Sequence, residues 1–254
     1  AYLKYLEVAP RLKTDIVVIG LTPENINRIV NVYRPFYFSR TGIKMPKPRF
    51  VLEGGELRLI GNPLDGPDEV GRLTEPDFVL SLGKNDWWFN RDEYPVLGFP
   101  YLKILLNKRI WLEAIHGKMK GKDVDDTQPR PWVNLWEDEE ASSLMYAILD
   151  SFIGEIRSRG SVPVVMISAM KPDVFHKFMT GNDPLPVERI KEYCAGKDCP
   201  CFDAVETIAS RVTRMEDIPA LYRVHVGPEG NRMIAEGFAG FLRAEGLIGD
   251  QEVE

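Results

Sequence analysis

The sequence lacks any long hydrophobic run and has no excess of positive charge. No apolar stretch approaches the about 20 residues that a membrane-spanning helix needs, so we expect no transmembrane segment. The 32 Lys and Arg residues against 38 Asp and Glu residues give a net charge of −6. This balance argues against a nucleic-acid partner, because binding to phosphate backbones depends on clustered basic side chains.

Cysteine and histidine are also scarce. The three cysteines, Cys194, Cys199 and Cys201, fall in the short stretch AGKDCPCF, and an odd number does not suit a disulfide framework. Three thiolates would need a fourth ligand to hold a metal such as zinc, and no histidine lies nearby, so we interpret them as reduced, structural residues. His116 and His176 have no carboxylate or cysteine at ligand spacing. With no glycine-rich phosphate loop either, the sequence predicts neither a metal nor a cofactor.

The pattern that is present alternates helices with buried strands. An apolar run at Ile16–Leu21 follows a helical pattern near the first residues, and helix 144–160 precedes a second apolar strand at 162–168. Further helical patterns cover 187–194 and 228–246, with a short strand and helix between them. Alternation of this kind predicts an α/β fold with a parallel sheet, both of whose long strands are buried on both faces.

The middle of the chain, residues 32–140, follows a different pattern, rich in proline, aromatic residues and turns. Within it, RFVLEGGELRLI predicts a β-hairpin around Gly54 and Gly55. We interpret the whole segment as an insertion, a lid or pocket wall, in a single domain whose core is 1–31 and 141–254. Its aromatic residues would line an acyl or carbohydrate pocket or simply form the insertion's core; they are Trp87, Trp88, Phe89, Tyr94, Phe99 and Tyr101, with Trp111, Trp132 and Trp136 further on.

Two segments carry the candidate chemistry. His225 lies in YRVHVGPEGNRMIAEGF, in a turn directly before a helix, where an imidazole can act as a general base. Asn25 lies in TDIVVIGLTPENINR, in the loop that follows the first strand. A surface histidine and a helix-capping asparagine are the structural alternatives.

The two segments resemble conserved blocks of the SGNH/GDSL hydrolases, which are serine esterases. The string from His225 through Gly227 to Asn231 is similar to the family's last block, and the strand ending before Asn25 is similar to its third block. The resemblance implies a three-layer α/β/α sandwich, flavodoxin-like, with His225 as the base and Asn25 as an oxyanion-hole donor. It implies a small-molecule or glycan ester as the substrate.

The chain departs from the family pattern at two points, the triad aspartate and the nucleophile serine, and a second string competes with Asn25. Tyr222 stands where the family has the aspartate of the triad. Asp217 or Asp203 would then orient the imidazole, or the enzyme would act with a Ser-His dyad and no acid. The literal string Gly83–Asp86, of the form Gly-x-Asn-Asp, competes with Asn25, although its flank suits a helix as well as a strand. No serine has the family's Gly-Asp-Ser context; Ser168 is the best placed, and capping explains Ser142 and Ser143.

We therefore expect the nucleophilic serine to lie upstream of Ala1, in residues that also complete the fold, and this chain alone to be inactive. The alternatives are a polysaccharide O-acetyltransferase of the same fold and a non-catalytic module that binds a glycan or a protein. The sequence does not fix the compartment.

Overall fold

The computed structural model describes residues 1–38, 41–90 and 131–249 of the chain. It is an α/β protein that divides into two compact units, Ala1–Ile26 with Pro129–Glu254, and Asn27–Gln128. Within the described residues no helix is long and apolar enough to cross a membrane. The α/β class predicted from the sequence is thus confirmed.

The first unit is built on a parallel sheet of three strands, β1 (Ile16–Leu21), β4 (Val162–Ile167) and β5 (Cys201–Asp203). Their order in the sheet is β1-β4-β5. The described helices of this unit are α1 (Tyr2–Val8), α5 (Glu139–Ser158), α6 (Lys171–Thr180), α7 (Leu185–Gly196), α8 (Ala204–Ala209) and α9 (Pro228–Ala244). Helix α2 (Asn25–Ile29) crosses the boundary to the second unit in sequence. Short 3-10 turns cover Ala9–Arg11, Pro131–Trp136, Met215–Asp217 and Pro219–Leu221.

Helix α5 shows how the sequence specifies this unit. The Asp138 side chain caps it by accepting a hydrogen bond from Ala141 N at 2.9 Å, and Glu139 and Glu140 occupy the first turn, where the helix dipole favours acidic groups. The acidic side chains of this segment therefore stabilise the start of the helix. One stripe of the helix is buried, comprising Leu144, Met145, Leu149, Phe152, Ile153 and Ile156.

The two long strands differ in burial. Strand β4 is enclosed on both faces, with Val164, Val165 and Ile167 fully buried, as predicted. In β1 only Ile19 and Leu21 are buried, and Val18 on the opposite face is 40% exposed. The prediction that β1 is buried on both faces is wrong, because Val18 and Gly20 are exposed on the face opposite Ile19 and Leu21.

The second unit contains the predicted hairpin, formed by β2 (Arg49–Glu53) and β3 (Glu56–Ile60) in antiparallel pairing. Gly54 and Gly55 connect the strands with positive φ angles of 61° and 87°, which glycine adopts without strain. Helices α3 (Pro76–Leu82) and α4 (Trp87–Asn90) follow, with 3-10 turns at Arg34–Phe36, Pro67–Thr74 and Gly83–Asn85.

Candidate functional site

The carboxyl ends of the three parallel strands meet at one level of the first unit. Leu21 pairs with Ile167, and Ile167 pairs with Asp203, so the residues that follow each strand emerge at the same edge. Ligands of open α/β sheets bind outside this edge. Residues at this edge are therefore the candidate site residues.

The loops after β1 and β4 are joined by hydrogen bonds at this edge. Thr22 Oγ1 donates to Ser168 Oγ at 3.2 Å, and Ser168 N donates to Leu21 O at 3.0 Å. Thr22 was not predicted as a site residue, although a hydroxyl residue directly after a buried strand was the available signal. These bonds fix the two loops relative to each other.

Asn25 lies just beyond Thr22 and begins α2. Its backbone N donates to Thr22 O at 2.8 Å, and Trp136 Nε1 donates to Pro23 O at 3.2 Å, which holds the loop between the strand and the helix. The Asn25 side chain is half-buried and makes no hydrogen bond to another described residue. Its amide is thus held near the edge by a fixed loop while its own donors are unoccupied within the described part of the chain.

His225 projects from a tight loop between Leu221 and α9. Gly227 N donates to Leu221 O at 2.7 Å, Arg223 N donates to His225 O at 2.9 Å, and Tyr222 forms an antiparallel bridge with Val226. The His225 side chain is exposed, without a hydrogen bond or ion pair to any residue that the structure describes. The loop therefore presents an imidazole to solvent.

The residues after His225 build this loop. A Cβ atom at Gly230 would lie 2.6 Å from Val226 Cγ1, so no side chain fits at that position without displacing the loop. The Asn231 side chain donates from Nδ2 to Val226 O at 3.1 Å, and its backbone N donates to Gly227 O at 2.9 Å. The glycine and the asparagine of the His225 segment thus have a direct structural role in holding the histidine loop.

Tyr222 connects the His225 loop to the edge of the sheet. Its hydroxyl donates to Ala169 O, two residues after the end of β4, at 3.3 Å. Burial raises the pKa of Tyr222, and the negative charge of nearby Asp173 raises that pKa further, so the phenol stays neutral across the physiological range. Tyr222 is thus a neutral donor that is hydrogen bonded to the loop after β4.

The two aspartates predicted as alternative acids are occupied elsewhere. Asp203 Oδ1 caps α8 by accepting from Val205 N at 2.8 Å, and its Oδ2 lies 3.2 Å from Lys191 Nζ. Asp217 pairs with Arg214 through bonds of 2.7 and 3.1 Å, and this partner lowers the pKa of the Asp217 carboxyl. In the described residues neither carboxylate contacts His225.

The predicted serine candidates do not meet the histidine either. Ser168 is half-buried and bonded to Thr22, while Ser142 Oγ donates to Asp138 O at 2.7 Å as part of the start of α5. Ser143 is exposed on the same helix. Among the described residues, no serine hydroxyl is hydrogen bonded to His225.

The rival string Gly83–Asp86 has a structural function in the second unit. It forms a 3-10 turn and not the end of a strand. Asp86 is fully buried and accepts from Val32 N at 2.6 Å and Trp88 N at 3.0 Å, with further bonds from Asn31, Tyr33 and Phe89. Burial raises the pKa of this carboxyl, and the backbone N–H groups act against that rise.

The predicted aromatic cluster is largely interior where it is described. Trp88, Trp132 and Trp136 are buried, which favours a packing role. Tyr94, Phe99, Tyr101 and Trp111 lie outside the described residues, as does His116. A shallow depression of about 550 Å³ is lined by a separate group that includes neither Asn25 nor His225, namely Trp136, Glu137, Ser142, Tyr146, Arg189, Glu192 and Tyr193.

No grouping of three His, Cys, Asp or Glu side chains suited to a metal ion occurs in the described ranges. Comparison of the chain with protein-family models, curated proteins and solved structures finds no match. The geometry of the sheet edge and of the His225 loop is therefore the evidence that bears on function.

Proposed function

We propose that this chain is part of an SGNH/GDSL-type hydrolase that cleaves a carboxylic ester, with a three-layer α/β/α fold. One observation carries the proposal: a chain of hydrogen bonds links the Asn25 loop to the His225 loop across the carboxyl edge of the sheet. Asn25 N donates a hydrogen bond to Thr22 O, and Thr22 Oγ1 donates to Ser168 Oγ. The Tyr222 hydroxyl donates to the backbone oxygen of Ala169, the residue next to Ser168. Two sequence segments far apart in the chain thereby reach the edge where ligands of such folds bind.

In the proposed reaction His225 is the general base. Its imidazole takes the proton of a serine hydroxyl as that oxygen attacks the ester carbonyl, and later gives the proton to the leaving alcohol. The exposed position of His225 and its lack of a partner within the described residues leave both ring nitrogens accessible for this exchange.

Asn25 would supply a side-chain N–H to the oxyanion of the tetrahedral intermediate. A well-placed donor of this kind contributes about 3 to 4 kcal/mol to transition-state stabilisation. The fixed loop supports this role, because a donor that is already held in place does not need to be ordered during the reaction.

The nucleophilic serine is proposed to lie upstream of this chain. Within the described residues β1 has a neighbour on one side only, β4, so a further strand can pair with its other side. A parallel strand there would end at the same level as Leu21 and bring its following loop to the edge that holds Asn25. Residues 1–254 alone would then lack a nucleophile and be inert towards esters.

The test is ester hydrolysis by the protein at its natural length, measured with p-nitrophenyl acetate. We expect His225→Ala to lower kcat at least about 10³-fold and Asn25→Ala to lower it about 10²- to 10³-fold. The matched control is His176→Ala, since His176 is also exposed, on α6. Full activity in His225→Ala, or equal losses in both histidine variants, would contradict the proposal.

The same assay separates hydrolysis from acetyl transfer. We expect free acetate as the product, with no acetylation of an added polysaccharide. If the protein transfers acetyl groups to a sugar hydroxyl and this transfer requires His225, the proposed site stands, but its acceptor is a sugar and not water.

A further inference from the structure

The three cysteines form one cluster where α7 ends and β5 begins. Cys194 and Cys199 are buried, at 1% and 6% exposure, and Cys201 is half-buried; all three are free thiols. Their side chains have no part in the proposed ester chemistry, so the reactivity of the cluster does not depend on that chemistry.

The end of α7 folds Cys199 back onto Cys194. Cys199 N donates to Cys194 O at 3.1 Å and Asp198 N donates to Ala195 O at 3.3 Å, the hydrogen-bond pair of a Schellman motif. Asp198 takes the left-handed conformation that this turn requires, with φ at 48°. In such turns the side chains at the positions of Cys194 and Cys199 commonly pack against each other.

The Cys199 thiol donates to Pro163 O at 3.6 Å. Cys194 lies within interaction range of the side chains of both Cys199 and Cys201. The interaction with Cys194 lowers the pKa of Cys199, and the nearby Arg157 guanidinium contributes in the same direction. Arg157 is held there by bonds from Nη2 to Lys197 O at 3.1 Å and Asp198 O at 2.8 Å.

We propose that this cluster is a reversible oxidation site, in which Cys194 and Cys199 form a disulfide bond and the half-buried Cys201 receives the oxidant. The turn brings together the two chain positions that a disulfide needs, since Cys199 N is hydrogen bonded to Cys194 O at 3.1 Å. The oxidant is a small-molecule disulfide.

The electron balance is that of thiol–disulfide exchange. The Cys201 thiolate attacks the small disulfide and releases one small thiol, and Cys194 displaces the second one to give a Cys194–Cys201 bond. The Cys199 thiolate then attacks the Cys194 sulfur and frees Cys201. Two protein thiols are oxidised, one small disulfide is reduced to two thiols, and the two protein protons are transferred to them.

The experiment uses residues 1–254 in native buffer with oxidised glutathione, followed by alkylation with N-ethylmaleimide, intact mass and peptide mapping. We expect the three alkylatable thiols to fall to one, with a mass loss of about 2 Da before alkylation and a mapped Cys194–Cys199 link. Dithiothreitol should restore all three. Three thiols alkylated after oxidation, or a stable glutathione adduct as the final product, would overturn the proposal.

Variants separate the roles of the three thiols. Cys194→Ala should form no internal disulfide, Cys199→Ala should form the Cys194–Cys201 bond, and Cys201→Ala should form the Cys194–Cys199 bond about tenfold more slowly. An internal disulfide in Cys194→Ala would contradict the proposal that Cys194 takes part in both disulfide bonds. If a variant does not fold, the mapped link in the unaltered chain still decides between the outcomes.

Discussion

At the scale of single residues, the loop around His225 places two nearby side chains in opposite environments. Tyr222 is turned towards the protein and bonded to Ala169 O, whereas Val224, two positions on, is 89% exposed, and His225 beside it is exposed. An inward anchor followed by an outward group suits the role proposed for His225, that of a base that must meet a substrate. Tyr222 thus makes a clear anchoring contact with the loop that follows β4.

Removal of the Tyr222 hydroxyl tests that anchor. We expect Tyr222→Phe to lower the free energy of unfolding by about 0.5 to 1.5 kcal/mol, because Ala169 O loses a donor. Urea denaturation measures the change. Tyr146→Phe is the control, since its hydroxyl has no hydrogen-bond partner among the described residues, and equal losses in both variants would contradict an anchoring role.

Lys47 in the second unit gives a prediction about pH. Burial lowers the pKa of Lys47 to about 8, with the Arg49 charge acting in the same direction and Asp86 opposing it. The ammonium donates to Arg28 O and Asn31 O, both at 2.5 Å. Because the folded chain releases this proton more readily than the unfolded chain, burial of the charge is destabilising below pH 8, and this effect is relieved as the pH rises towards 10.5.

The unfolding free energy of the native sequence should therefore increase relative to that of Lys47→Met between pH 7.5 and 9.5, with a slope of at most about 1.4 kcal/mol per pH unit. Urea denaturation at several pH values in this window measures the difference, below the range in which the buried tyrosines titrate. Parallel curves for the two proteins would show that Lys47 keeps an ordinary pKa.

At the scale of secondary-structure elements, α9 and the His225 loop are packed too closely for a side chain at position 230. A Cβ atom there would meet Val226 Cγ1 at 2.6 Å, whereas a Cβ atom at Gly240, on the same helix, would meet nothing within 4 Å. Two glycines of one helix thus have opposite packing environments, which makes them a matched pair.

We expect Gly230→Ala to destabilise the protein by about 1 to 3 kcal/mol, since the loop must move to accept the methyl group. Gly240→Ala should stabilise it by about 0.5 to 1 kcal/mol, because alanine has the higher helix propensity and the space is open. Thermal unfolding measures the stability of both variants relative to the unaltered protein. Stabilisation by Gly230→Ala would mean that the loop does not pack as described.

The sequence predicted the elements well where local pattern decides the structure. The β-branched runs at Ile16–Leu21 and Val162–Ile167, and the Gly54-Gly55 turn, depend on neighbouring residues and agree with the structure. The exposure of Val18 depends on which parts of the chain cover β1, and three of the five hydrogen bonds of Asp86 come from the distant segment 31–33. Neither leaves a local pattern, so neither was predicted.

The candidate site was predictable in part for the same reason. The segments of Asn25 and His225 were visible as strings, and the structure places each beside the carboxyl edge of the sheet through the contacts of Thr22 and Tyr222. Those two residues were missed as contacts because their partners, Ser168 and Ala169, lie over 50 positions away from them.

At the scale of the whole molecule, the proposed function makes the first unit one part of a catalytic sheet. Within the described residues β1 and β5 each have a single neighbour, and the nucleophile would enter beside β1. The lid role predicted for 32–140 stays a prediction, since residues 91–130 lie outside the described part of the chain. The central claim is that His225 activates a serine that precedes Ala1.

Labelling with a fluorophosphonate probe, which reacts with activated serines, tests that claim most directly. We expect the protein of natural length to be labelled on one serine preceding Ala1, His225→Ala to abolish labelling while His176→Ala does not, and residues 1–254 alone to remain unlabelled. Absence of label on the natural-length protein, or label on Ser168 in residues 1–254, would contradict the claim.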